Sequence, residues 1–222
     1  DLQVVVAFRM LPEIVWNMPP LGTLNLHGSL LPEYRGAAPI NWAIINGEKY
    51  TGVTTFKLKH EIDTGNILLS EKINIDEDET AGSLHDKMKI VGANVLFQTI
   101  QGLANNTINE KPQENIECKN APKIFTETCK INWAYSCKSV HNLIRGLSPY
   151  PAAFTFLDGK KIKIFSAEIE QGTVPESGKM ITDGKSYMKF TCQDGCIKIL
   201  ELQIEGKKRM SIEDFLRGYR QA

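Results

Sequence analysis

No apolar run among the 222 residues approaches the roughly 18 needed to span a bilayer, and no charged-then-apolar leader precedes a small-residue cleavage site. The expectation is a cytoplasmic protein without a membrane partner. Histidine is scarce, at four residues, and the five cysteines are an odd number without C-x-x-C spacing or a histidine cluster. That excludes a disulfide framework and a zinc site from the reading and leaves metal: none. Cys192 and Cys196 bracket the turn "QDG" and are expected as reduced neighbours in a hairpin. No G-x-S-x-G elbow is present. Net charge is also missing, since 26 basic residues balance 26 acidic ones, but the balance hides an asymmetry. Residues 1 to 120 hold 10 Lys and Arg against 15 Asp and Glu, and residues 121 to 222 hold 16 against 11. A basic module joined to an acidic one points to a polyanionic partner such as RNA, or to an ordinary surface.

What is there begins with alternation. "LQVVVAF" (2–8) reads as a strand buried on both faces, "LPEIVWNM" (11–18) as a short helix, and "GTLNLH" (22–27) as a second strand. A helix is predicted over 38–47, strands over 51–58 and 67–75, and a long amphipathic helix over roughly 80–103. The fold class is α/β: a partial, doubly wound, mainly parallel sheet occupying residues 1–103. Residues 104–122 are polar and aperiodic with two prolines, and read as a linker. In residues 123–222 a helix (134–147) precedes short strands separated by "DG" steps at 158, 183 and 194, the pattern of a small antiparallel open β-barrel, OB-like, finished by a helix at "SIEDFLRGY". The chain opens on Asp, and three or four strands without a leading βαβ unit are thin for a doubly wound sheet. The expectation is an N-terminal portion ahead of Asp1.

The chemistry gathers at "LNLHGSLLPEYRGAAPI" (24–40). Residues two apart share a strand face, so Asn25 and His27 point the same way at the carboxyl end of a strand, and Leu26 points into the opposite layer. Asp63, in the turn "EIDTG", follows the strand 51–58, which is expected to neighbour the first, so its carboxylate can reach the imidazole. With no Ser or Cys nucleophile beside them, Asn, His and Asp suit direct acyl transfer to an amine rather than a covalent acyl-enzyme. An amide or imidazolium can hold the oxyanion, and the amine must lose a proton. By themselves the residues are equally those of a surface histidine and a common turn.

"NLHGSLLPEYRGAAPINWAIINGE" followed by "TGVTTFKLKHEIDTGNIL" resembles the folate-dependent formyltransferase family: Asn-x-His, then Ser-Leu-Leu-Pro, then an Asp-x-Gly turn 36 residues after the histidine. "RGAAPI" is similar to the branch that formylates methionyl-tRNA, and "INWAYSCKSVHNLIRGLSPYPAAFTFLDGKKIKI" is similar to the start of the family's C-terminal, tRNA-holding domain. The resemblance implies a Rossmann-like formyltransferase sheet and a monomer. It implies that Asn25 and His27 polarise the formyl carbonyl of 10-formyltetrahydrofolate and that Asp63 orients His27 and stabilises its charged form. Ser29, Leu30, Leu31 and Pro32 would line the folate site through backbone groups, and Phe8, Met10 and Leu11 would wall the pterin. Lys57, Leu58 and His60 depart from the family's preferred types.

For the partner, the resemblance implies initiator methionyl-tRNA, formylated on its α-amine for translation initiation. Arg145 could touch a tRNA phosphate or pair with an acid at the domain boundary, and Lys207, Lys208 and Arg209 are either a solvated turn or a tRNA contact. His60 and His85 are expected on the surface. A chain starting at Asp1 would lack part of the acceptor side and transfer formyl poorly. Two readings compete with this one: a formyltransferase acting on a sugar-nucleotide amine, and a non-catalytic RNA-binding module.

Overall fold

The β-branched run "YTGVTTF" is the most deeply buried strand of the first half, with Val53, Thr54, Thr55 and Phe56 at 0 to 2% exposure. β-Branched and aromatic side chains suit a pleated, covered surface, and the run organises the sheet around it. The computed structural model describes residues 1–7, 10–114, 117–174 and 176–219. It divides into two units, one of Asp1–Ala43, Glu48–Glu77 and Ser83–Lys123, the other of Ile44–Gly47, Asp78–Gly82 and Ile124–Ala222.

In chain order the elements are β1 (Gln3–Val5), α1 (Glu13–Trp16), β2 (Thr23–His27), β3 (Arg35–Gly36), α2 (Pro39–Ile45), β4 (Tyr50–Lys57), β5 (Ile67–Asn74), α3 (Ala81–Ala104) and β6 (Asn120–Ala121). The main sheet runs β1-β2-β4-β5. β1 pairs with β2 in parallel, but β2 with β4 and β4 with β5 are antiparallel, so the sheet is mixed and not mainly parallel. The loop 58–66 between β4 and β5 is shorter than the dozen or so residues that a parallel crossover needs, and alternation of strand and helix does not fix strand direction elsewhere. Among the described residues β1 has β2 as its one neighbour, and Val4 within it is 37% exposed.

β2 separates two layers. Leu26 rests on Gly92 of α3, where an added Cβ would stand 2.9 Å from the leucine. Thr55, its cross-strand partner, bonds Thr99 of the same helix at 2.8 Å. Asn25 and His27 therefore face away from α3.

The second unit contains α4 (Cys137–Leu147), β7 (Ala153–Leu157), β8 (Lys160–Gln171), β9 (Met180–Thr182), β10 (Met188–Cys192), β11 (Gly195–Ile204), β12 (Met210–Ser211) and α5 (Ile212–Gly218). All three "DG" steps sit in antiparallel turns, β7 to β8, β9 to β10 and β10 to β11. The order is β7-β8-β11-β10-β9, with β12 on β11, and no pairing between β7 and β9 is present among the described residues. The sheet is a curled, open half-barrel. Serine caps start both helices: Ser136 accepts from Ser139 N and Ser211 from Asp214 N, each worth about 1 kcal/mol. Ile144, Leu147, Ile162, Ile164, Ile197, Ile199 and Leu202 fill the interior at 0 to 1% exposure, each adding about 1.5–3 kcal/mol by burial.

His141 of α4 lies inside this core. Its Nε2 donates to the Ala167 carbonyl at 3.1 Å, and its Nδ1 is buried without a partner. Protonation would bury a second N–H facing no acceptor. Burial, then the Arg145 charge, pushes its pKa below the ordinary 6.5. The unfolded chain takes up that proton at a pH where the folded one does not, so this contribution is complete above pH 6.5 and is lost as pH falls below it toward the lowered folded value. Urea midpoints followed by Trp133 fluorescence are expected to drop between about pH 7.5 and about pH 5.5, and His141→Gln is expected to shrink that drop. An unchanged drop would contradict a neutral buried histidine.

Candidate functional site

Alternation along β2 sets Asn25 and His27 side by side on one face, each 6% exposed. His27 Nε2 lies 2.9 Å from the Tyr34 carbonyl oxygen. A carbonyl only accepts, so Nε2 carries the hydrogen and Nδ1 is left as the ring's other polar edge. Asp63 Oδ2 stands 3.8 Å from Nδ1, with 7% and 12% of the two side chains exposed. The gap is beyond a direct hydrogen bond and within ion-pair range, so Nδ1 is aimed but not consumed. Phe56, opposite Asn25 across the ladder, sets its ring edge-on to the imidazole at 6.5 Å and excludes water on that side.

Asn25 Oδ1 is buried and has no hydrogen-bond partner. A primary amide exchanges its oxygen and NH2 corners by a half-turn, so this position can present an acceptor or a donor. An unsatisfied buried polar atom costs about 1–3 kcal/mol, and a bound ligand atom would relieve it.

The loop after β2 is tied down rather than free. Thr54 of β4 donates to Ser29 O at 2.7 Å and accepts from Leu31 N at 3.2 Å. Ser29 Oγ donates to Glu33 O at 2.5 Å, and Leu30 packs over Gly52, where a Cβ would collide with it. Ser29 O and Leu31 N are therefore already engaged, while Leu30 and Pro32 remain half-buried.

Asp63 adopts the left-handed region at φ 55°, uncommon for a residue with a Cβ but one that Asp enters more readily than most. Gly36 N donates to its Oδ2 at 2.9 Å. Gln113, from the segment read as a linker, donates to Asp63 O and Gly65 O, both at 2.8 Å. Neither Gln113 nor the Tyr34 carbonyl carried a signal in the sequence: one is a polar residue in a polar stretch, the other a backbone atom.

The other predicted residues lie as follows. Phe8 lies outside the described residues; Met10 is 74% exposed, and Leu11 is half-buried. Arg145, read as touching a phosphate or pairing with an acid, is turned into the fold. It is 6% exposed, donates to Asn142 Oδ1 and to Glu79 O, each at 3.0 Å, and has no surface to offer a polyanion. Lys207 and Lys208 are exposed in the turn between β11 and β12, and Arg209 there pairs with Glu201 and covers the Phe165 ring at 4.5 Å. All five cysteines are free thiols; burial pushes Cys137 up to about 11, so it is inert at neutral pH. Among the described residues, no group of three His, Cys, Asp or Glu side chains stands together as a metal site.

Known proteins share this arrangement. Residues 1–100 match the formyl transferase family and residues 123–220 its formyl transferase C-terminal domain. A methionyl-tRNA formyltransferase of Phocaeicola vulgatus is 51% identical over 231 aligned residues, covering 99% of this chain and 71% of that protein. Two solved structures share the fold. HypX from Aquifex aeolicus in complex with tetrahydrofolic acid superposes at TM-score 0.73 and 20% identity, over 100% of this chain and 40% of its own. An N-formyltransferase from Helicobacter canadensis, in complex with folinic acid and dTDP-3-aminofucose, superposes at TM-score 0.66 and 24% identity, over 84% of this chain and 66% of its own.

Gly65 tests how tightly the turn is built. A Cβ there would overlap the Lys57 carbonyl oxygen and come within 3.0 Å of Phe56. Gly65→Ala is expected to destabilise by about 1–3 kcal/mol through overpacking, read as a lowered urea midpoint. An unchanged midpoint would show that the turn is loose.

Proposed function

The chain belongs to the formyl transferase family, and we propose that it transfers the formyl group of 10-formyltetrahydrofolate to the α-amine of methionyl-initiator-tRNA, in the cytoplasm, for translation initiation. The arrangement of Asn25, His27 and Asp63 carries the chemistry: an unpartnered amide corner beside an imidazole whose free edge faces a carboxylate. The likeness at 51% identity over 99% of the chain supports the choice of acceptor.

The donor is a substrate that supplies an activated formyl carbon. Of the two residues expected to polarise its carbonyl, Asn25 has the open amide corner, and His27 Nε2 is committed to Tyr34. Asn25 presents its NH2 to the formyl oxygen, where negative charge develops as the amine adds, and such a donor contributes about 10²–10³ in rate. The C–N bond to the amine forms, the bond from the formyl carbon to N10 of the folate breaks, the amine gives up a proton and N10 takes one. His27 Nδ1 and Asp63 Oδ2 are the pair within reach of that proton, a role worth about 10²–10⁴. Residues 29–32 wall the folate alongside 8, 10 and 11; the Leu31 N–H is spent on Thr54, and Ser29 O keeps a second lone pair. Residues 123–222 form the tRNA-holding domain, its half-barrel read as OB-like, with Lys207 and Lys208 among its exposed cations.

A sugar-nucleotide amine is the second acceptor to test, because the Helicobacter canadensis neighbour is in complex with dTDP-3-aminofucose. Incubation with labelled formyl donor and either methionyl-tRNA or dTDP-3-aminofucose is expected to label the tRNA. Label in the sugar alone would overturn the proposal. Asp63→Asn is expected to lower kcat by about 10²–10⁴, measured as initial rates of tRNA labelling; full activity would remove Asp63 from the mechanism.

A further inference from the structure

Within the aperiodic stretch after α3, Gln113 is turned inward while Lys111, Pro112 and Glu114 are exposed. Its side-chain amide uses every position it has. Nε2 donates to Asp63 O and Gly65 O at 2.8 Å, and Oε1 accepts from Arg35 Nε at 3.1 Å and Nη2 at 2.5 Å. An amide offers two donors and two acceptor lone pairs, so a half-turn would break all four bonds at once. The orientation is fixed.

The bonds form a closed circuit. Arg35 is followed by Gly36, whose N–H donates to Asp63 Oδ2 at 2.9 Å. From Asp63 O through Gln113 and Arg35 to Gly36, the set returns to the Asp63 carboxylate. It therefore holds the residue at its main chain and at its reacting group together. β3 itself pairs with β6, Arg35 against Asn120 and Gly36 against Ala121, and an added Cβ at Gly36 would stand 2.5 Å from Ala121 O. The donor that reaches Asp63 is thus backed by a close main-chain contact.

Asp63 requires such a hold. Its φ of 55° is an uncommon backbone conformation, although Asp enters it more readily than most residues with a Cβ, and among the described residues 59–65 of its turn none pairs in the sheet ladder. Released from Gln113, the carbonyls of Asp63 and Gly65 would bond water, the backbone would relax out of the left-handed region, and the carboxylate would leave His27 Nδ1.

We propose that Gln113 is a positioning residue that acts through Asp63, with Arg35 as its second anchor. The catalytic part rests on the assignment of Asp63 to formyl transfer; the positioning part does not. Two measurements on the full chain separate them. In Gln113→Ala, hydrogen exchange at the Gly36 amide is expected to rise about tenfold, with the Val53 and Thr54 amides of β4 unchanged. The rate kcat of methionyl-tRNA formylation is expected to fall about tenfold at unchanged KM for the formyl donor, and in an Asp63→Asn background the same substitution is expected to cost under about twofold, because coupled residues are not additive. Gln113→Glu keeps the Arg35 contact but loses both donors and is expected to lose activity as Gln113→Ala does. Unchanged Gly36 exchange, full activity of Gln113→Glu, or an equal loss in the Asp63→Asn background overturns the proposal. A protein that never labels methionyl-tRNA would instead sink the functional reading, and Gly36 exchange would still decide the positioning.

Discussion

The hydrogen bond from His27 Nε2 to the Tyr34 carbonyl constrains everything else in the site. Because that acceptor cannot donate, it fixes which ring nitrogen is committed and which can exchange a proton. The carbonyl is itself held from three directions. Tyr34 sits at φ 60°, its N–H donates to Lys119 O at 2.6 Å, and its hydroxyl donates to Glu48 Oε1 at 2.6 Å. Burial raises the Glu48 carboxyl, but its bonds from Lys119 and Tyr34 outweigh that and hold it below the ordinary value, so it accepts as an anion. A tautomer chosen by one backbone oxygen is thereby locked by a network that never touches the imidazole.

The same segment serves both sides of the ring. Lys119 steadies the Tyr34 acceptor, and Gln113 steadies the Asp63 carboxylate. Two contacts from this segment thus frame Nδ1 and Nε2, and β6 fastens it to β3. Further main-chain bonds, Ala38 N to Ala121 O and the pair exchanged by Ile67 and Lys111, tie the same segment down.

The strand reading brought Asn25, His27 and Asp63 together, but by partly incorrect geometry. Alternation on β2 put Asn25 and His27 on one face and Leu26 on the other, and the burial of Leu26 against Gly92 agrees. Asp63 was expected to reach the imidazole from the turn after a strand neighbouring the first, in a sheet read as mainly parallel. β4 is instead antiparallel: it leaves the sheet next to Thr23, with Leu58 N donating to Thr23 O at 2.8 Å, and the turn folds back over the strand face to reach His27. Side-chain period is local and readable; strand direction depends on how long each connection is and where it docks. Gln113 was invisible for a related reason, since a saturated amide and an idle one are the same letter in a polar segment.

Charge in the second unit shows the difference between a count and a field. Lys189, Lys198, Arg209 and Arg217 each face an acid, Glu170, Glu168, Glu201 and Asp214, and Arg145 is spent inside the fold. The excess therefore resides in cations outside the ion pairs found among the described residues. Four of these lie close together, Lys160 and Lys161 at the start of β8 and Lys207 and Lys208 in the turn after β11, because Glu205 N donates to Lys161 O at 3.0 Å and Ile204 pairs with Ile162. Asp158 and Glu205 share that end but do not balance it, and Asp158 already accepts the Tyr219 hydroxyl at 2.8 Å. Charges gathered on a short edge act together more strongly than the same charges scattered, so Lys160, Lys161, Lys207 and Lys208 make one local patch of positive charge at the ends of β7, β8, β11 and β12, while the α4 arginine is buried.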